Sequence, residues 1–182
     1  LAMMDVMEVI RARRSVRAYA AKPVDPETVD LLLDAVRWAQ SWANTQCWEV
    51  VVVRDQSIRL ALQATAPAGN PSHHAIAQAP IVLALCAKLG AAGFYKGNAA
   101  TKFGDWFMFD LGVAAQNIAL AAQAHGLGSV IVGLFDHDEA RAALKVPEGY
   151  EVVALMPIGY PDGAVAPPPR KDVTEFVHEN TF

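Results

Sequence analysis

Apolar residues recur along this chain with two periods, and each switch between them marks an element. Val6, Met7, Val9 and Ile10 surround Asp5 and Glu8, which are spaced as a capping box. A first helix is therefore expected from Met4, ending near Arg14 to Val16. Asp25-Pro26 opens a second helix, whose apolar face is Val29, Leu32, Leu33, Val36 and Ala39. A loop over 41–48 leads into the run 49–53, read as a buried strand. A third helix spans about 57–64 and Pro67 closes it. Residues 68–74 read as loop around Pro71, and 80–87 as a second strand. The stretch 91–102 is loop or short helix. One long helix is expected over 104–125, ended by Gly126. Its small residues, among them Gly112, Ala114, Ala115, Ala119 and Ala122, allow close approach of other backbones, a second subunit included. A third strand over 129–132, a helix over 140–144 behind the capping-box pair Asp136 and Glu139, a turn at 147–149 and a fourth strand over 151–158 complete the pattern.

Strands and helices alternate, so the class is α/β or α+β with one main sheet. At 182 residues and 53% hydrophobic content, the chain reads as a single domain over 1–182 with a real core, and 161–182 as an extension. A net charge of −4 excludes a global basic field, so neither nucleic acid nor an anionic membrane is an expected partner. The most apolar stretch, 106–124, carries Asp110, Gln116, Asn117 and Gln123, which suits a helix buried by protein better than a membrane span. The chain opens on a charged helical pattern, not a secretory signal, and Cys47 and Cys86 have no CxxC spacing. No disulfide scaffold and no metal site is expected, and the setting reads as cytoplasmic.

Neither GxGxxG nor GxxxxGK[ST] occurs, so a nucleotide-like cofactor would need another phosphate holder. Arg11, Arg13, Arg14 and Arg17 fall within seven residues around Ser15. Arginine offers planar, always-charged donors suited to phosphate, while the plain alternative is a solvated helix end. Arg170-Lys171 behind the proline run 167–169 is a second basic point, or else a solvated tail.

The run R-R-S-x-R-x-Y from Arg13 to Tyr19 resembles the opening motif of the nitroreductase superfamily. So does the loop Ser41-Trp42-Ala43-Asn44-Thr45-Gln46-Cys47-Trp48. Gly69-Asn70, Ala79-Pro80, Gly126-Leu127-Gly128, the run from Pro147 to Leu155 with Ile158-Gly159-Tyr160-Pro161, and Pro169-Arg170-Lys171 follow in the family's order. The resemblance implies a nitroreductase-like flavin fold of α+β class, a mixed sheet flanked by helices, in an intertwined homodimer, with FMN at the subunit interface and the 161–182 extension contributing to both. It implies that Arg13, Arg14 and Ser15 hold the phosphate, helped by Arg170 and Lys171. Arg17 is then expected near flavin N1 and O2, and Asn70 at the pyrimidine edge. Ser41, Trp42, Asn44 and Gln46 are expected to come from the partner. Val132 and Gly133 are expected under the ring, with the backbone N–H of Gly133 or Leu134 near N5. The chain departs from the family where Gln40 and Cys47 replace frequent prolines, where Trp42 replaces a frequent serine, and where Gly133 stands in place of an acidic residue of some relatives.

Phe103 and Trp106 are the candidate walls of a substrate pocket. His73-His74 lacks metal-ligand spacing, Cys47 has no evident catalytic thiol role, and Asp110 in an apolar helix needs a structural partner. The resemblance implies an FMN-dependent oxidoreductase that uses NAD(P)H in ping-pong two-electron reduction of nitroaromatics, quinones or similar small acceptors, with no catalytic side chain required. The alternatives are a specialised relative of dehalogenating or flavin-fragmenting type, and a flavin-binding protein without turnover.

Overall fold

A computed structural model describes residues 5–182. Helix α1 (Val6–Ala12) opens as expected: Asp5 accepts from the Met7 N–H, and Glu8 returns the capping box. It stops earlier than the apolar pattern suggests, because Arg13 leaves helical geometry with ψ 131°. Met4 lies outside the described residues. Helix α2 (Pro26–Arg37) is capped by Asp25 and buries Val29, Leu32 and Val36.

The sheet has strand order β1-β2-β6-β5, with every neighbour antiparallel. Its strands are β1 (Trp48–Val53), β2 (Ile81–Lys88), β5 (Gly128–Ser129) and β6 (Tyr150–Gly159). Strand β2 is buried from Ile81 to Ala87 because helices or strands cover it on all sides. β1 is an edge strand, and only Val53 in it is buried, which corrects the expectation of a buried strand there. The parallel character of the sheet enters through a single bridge, Ser15 with Ser129.

Helix α3 (Gln56–Thr65) precedes α4 (His73–Gln78), a helix that Pro71 and the histidine pair conceal in the sequence. Residues 91–102 hold a two-stranded hairpin, β3 (Phe94–Tyr95) with β4 (Asn98–Ala99), rather than a short helix. Helix α5 (Phe107–Ala124) packs on α2 and on the sheet, and buries Leu111, Ala114, Ala115, Ile118, Ala119 and Ala122. Its small residues are thus spent largely within the chain. The exposed stripe is Met108, Phe109 and Gly112, with no neighbour within contact of a Cβ built on Gly112. The expected third strand shrinks to Gly128–Ser129, with Val132 bridging separately to Leu155. Helix α6 (His137–Leu144) is capped by Asp136. Among the described residues no helix is long and apolar enough to cross a membrane.

Candidate functional site

The arginine segment lies on a backbone held at both ends. After α1 the chain runs extended beside the sheet: the Val16 N–H donates to Ser129 O (3.0 Å) and the Ala20 N–H to Tyr160 O (2.9 Å). Val16 is buried so closely on Gly128 that a Cβ there would lie 2.5 Å from Val16 Cγ2. The Tyr19 hydroxyl lies 2.7 Å from Val16 O and 2.9 Å from Pro157 O, tying the segment to β6. Burial pushes the Tyr19 phenol well above its ordinary range, with the Arg17 charge opposing it. The helix end expected for these arginines is therefore an extended, anchored rail.

Arg13, Arg14 and Arg170 line one cleft of about 340 Å³, with Arg11 on its wall and Pro167 and Pro168 carrying the tail across. Arg14 Nη1 donates to Arg11 O (2.6 Å) and Arg13 O (2.8 Å), while its Nε is buried without a partner. Among the described residues the one salt bridge joins Arg37 to Asp34, so no carboxylate neutralises this cluster. Uncompensated guanidinium groups around a concave surface suit a multivalent anion such as phosphate. Ser15 is half-buried, its backbone paired with Ser129, and Lys171 is exposed outside the cleft lining.

Arg17 faces a second cleft, of about 370 Å³, shared with Asn70, Ser72, Val132, Gly133 and Leu134. Its Nε donates to Ser72 Oγ (3.0 Å). The Ser72 N–H donates to Asn70 Oδ1 (2.9 Å), and Asn70 Nδ2 donates to Leu134 O (3.1 Å). Ser72 is the buried link in this relay, and sequence reasoning passed it over because it sits in a run read as plain loop. Val132 contributes a wall and an anchor: both its N–H and its C=O are engaged by Leu155, at 2.8 and 2.9 Å. The Gly133 and Leu134 N–H groups, by contrast, donate to no acceptor among the described residues. A Cβ built on Gly133 meets nothing within 4 Å, so the surface beside it is open.

Ser41 and Trp42 lie on a third cleft, apart from the other two, with Trp106, Phe109 and Asp110. Trp42 and Trp106 meet at 5.0 Å between centroids, and Phe103 and Phe109 stand edge-on to Trp106. Trp106 Nε1 donates to Thr101 Oγ1 (2.8 Å), and Phe103 is largely exposed. Asp110 is buried and accepts from the Trp42 N–H at 3.0 and 3.1 Å and from the Cys47 thiol at 3.7 Å, a structural role as expected. Burial, and then the Asp110 charge, push Cys47 up to about 11, so it is a protonated thiol at neutral pH. Asn44 and Gln46 are exposed, joined by a 3.2 Å side-chain bond, and both have positive φ. His73 Nδ1 faces Ala66 O at 3.0 Å, and no group of three or more metal-ligand side chains occurs among the described residues.

Residues 10–160 match the family model of the nitroreductase family. The chain belongs to this family. It is 31% identical over 167 residues to a 5,6-dimethylbenzimidazole synthase of Rhodospirillum rubrum, covering 82% of this chain and 78% of the other. The crystal structure of an NADPH:FMN oxidoreductase from Vibrio harveyi complexed with NAD+ superposes with TM-score 0.80 at 28% identity, covering 97% and 77%. An FMN-dependent nitroreductase from Clostridium difficile gives TM-score 0.81 at 26% identity, covering 97% and 99%.

Proposed function

We propose that this nitroreductase-family chain is an FMN-dependent oxidoreductase that draws electrons from NAD(P)H and passes them to small acceptors such as nitroaromatics and quinones. The observation that carries the reading is the arginine cleft: Arg13, Arg14 and Arg170 converge without a carboxylate, and Arg14 Nε is buried without an acceptor. A phosphate supplies the counter-charge that this cluster lacks. FMN ends in a phosphate and carries a ring system that accepts and returns two electrons, which is the chemistry it supplies when bound. NAD(P)H as donor and FMN as cofactor are supported by the names of the Vibrio harveyi and Clostridium difficile relatives.

This chain's residues then divide the work. Arg13, Arg14, Ser15 and Arg170 hold the phosphate, with Lys171 adding charge. Arg17, steadied by Ser72, supplies positive charge on the pyrimidine side, where reduction accumulates negative charge. Asn70 and the open N–H groups of Gly133 and Leu134 orient the ring over Val132. In a homodimer, Ser41, Trp42, Asn44 and Gln46 reach the partner's site. Ser41 and Trp42 line a cleft that shares no residue with the arginine clefts of the same chain, and Asn44 and Gln46 beside them are exposed, which supports that assignment. The 161–182 extension brings Arg170 to the phosphate and joins the dimer contact. Phe103 and Trp106 wall the acceptor pocket and keep it dry.

The test is anaerobic. Purified chain reconstituted with FMN should lose its flavin absorbance on adding NADH or NADPH and regain it with a nitroaromatic or quinone. Flavin that binds but is bleached by neither nicotinamide would leave a carrier, not this enzyme. Because of the similarity to the Rhodospirillum rubrum synthase, the products should also be screened for 5,6-dimethylbenzimidazole, whose appearance would favour that activity over acceptor reduction.

A further inference from the structure

Trp106 is the fixed centre of the aromatic cleft. Its backbone N–H donates to Ala92 O (3.0 Å) and its Nε1 to Thr101 Oγ1 (2.8 Å), so backbone and ring are both pinned to the segment that carries the β3–β4 hairpin. Gly93 lies so close that a Cβ there would stand 2.5 Å from Trp106 Cδ1, and its φ of +81° is one that glycine adopts without strain. Phe109 stands edge-on to the same ring at 5.4 Å between centroids.

Trp42 is held as firmly from the other side. Its N–H is taken by both oxygens of the buried Asp110, at 3.0 and 3.1 Å, and its C=O accepts from the Thr45 N–H (2.9 Å). With the peptides on both sides of it anchored, the indole rests on Trp106 at 5.0 Å between centroids. Two large rings from separate elements, the 41–48 loop and the N-cap of α5, therefore meet across one wall of the cleft. The cleft measures about 290 Å³, at the lower end of the range of about 300–1,000 Å³ that small-molecule sites span.

We propose that Trp42 is a specificity-determining residue: its indole closes the acceptor cleft to a single flat ring and shuts out fused two-ring acceptors. This rests on the assignment of the Trp106 cleft to the acceptor. The class it selects is neutral, planar and monocyclic, such as benzoquinones and nitrobenzenes. An anionic acceptor would meet the Asp110 carboxylate, which lines the same cleft. The side chain and the ligand it excludes have the same shape. An indole is itself a fused two-ring plane, so its removal frees space of the form that a bicyclic acceptor needs.

The experiment titrates the FMN-loaded chain with benzamide and with 2-naphthamide by calorimetry, for wild type, Trp42→Phe and Trp42→Ala. The two probes carry the same neutral amide and differ by one fused ring. In an unobstructed apolar cleft the larger probe binds about tenfold more tightly through its added apolar area. Wild type should reverse that order and favour benzamide. W42A should restore it, moving the ratio of the two dissociation constants by about tenfold or more, with W42F between. The ratio of kcat/KM for 1,4-benzoquinone and 1,4-naphthoquinone should move in the same direction. A wild-type chain that prefers 2-naphthamide, or a W42A chain with the wild-type ratio, would overturn the proposal. The wild-type order alone decides it if W42A does not fold. A chain that holds FMN but binds neither amide also overturns it. A chain that binds no FMN fails the cofactor reading itself, and that result is distinct from the others.

Discussion

Replacing Asp110 by alanine strands the N–H of Trp42. The carboxylate sits at 1% exposure and takes that N–H on both oxygens, at 3.0 and 3.1 Å, with the Cys47 thiol 3.7 Å away. A buried donor left without an acceptor costs about 1–3 kcal/mol. The burial of the carboxylate's own charge runs the other way, so the alanine variant alone mixes two effects. Asp110→Asn separates them: it removes the charge equally but keeps a carbonyl oxygen for Trp42. The difference D110A minus D110N should therefore be the acceptor's worth, about 2 kcal/mol. In a chain of this length that is about 4–8 °C in melting temperature. Thermal unfolding followed by tryptophan fluorescence reports it, since Trp42 and Trp106 both border the site. If the loop serves the partner's flavin site, FMN affinity falls with D110A as well. Two variants that melt together would refute the claim that Asp110 holds this loop.

Three further perturbations follow from the same geometry. Arg17→Ala should lower the flavin midpoint potential and slow reduction by NAD(P)H, with a smaller effect on retention of oxidised FMN; an unchanged potential would remove Arg17 from its assigned place. Gly128→Ala forces a Cβ to within 2.5 Å of Val16 and should destabilise the chain by about 1–3 kcal/mol in chemical denaturation, loosening the arginine rail; unchanged stability would mean that the rail is not pinned there. Burial pushes the Cys86 thiol from 9.0 up to about 11, so the folded state holds this proton more tightly than the unfolded chain. The resulting stability is complete below about pH 9 and is lost as pH rises toward 11, and Cys86→Ala should flatten that decline in denaturant titrations across the window.

Helices with an apolar stripe and a side-chain cap were legible in the sequence: α1, α2 and α6 begin at Asp5, Asp25 and Asp136. Where a tertiary contact overrides local pattern, the reading drifted. α1 stops at Ala12 because the arginine segment is drawn onto the sheet by Ser129, a partner more than a hundred residues away. α4 begins in a run whose proline and polar residues read as loop, yet its own Ala75, Ile76 and Ala77 are buried in the core. β1 looked central because it is a run of valines, but periodicity does not say whether a strand has one neighbour or two. The family was legible because Arg13 to Tyr19, the loop over 41–48 and the 147–161 segment keep motif order, and the match over 10–160 bears it out. Ser72 was not legible: it meets Arg17, 55 positions away, and that spacing has no sequence signature.

The central claim is that the arginine cleft holds the phosphate of FMN, and the most direct measurement is a fluorescence titration of the flavin-free chain with FMN and with riboflavin. The two ligands share the ring and differ in the phosphate. Charge-assisted contacts of about 1.5–3 kcal/mol should make FMN bind roughly ten- to over a hundred-fold more tightly. Arg13→Ala should erase most of that difference while leaving riboflavin affinity unchanged. Equal affinity for the two ligands, or an FMN preference that survives Arg13→Ala undiminished, would contradict the account.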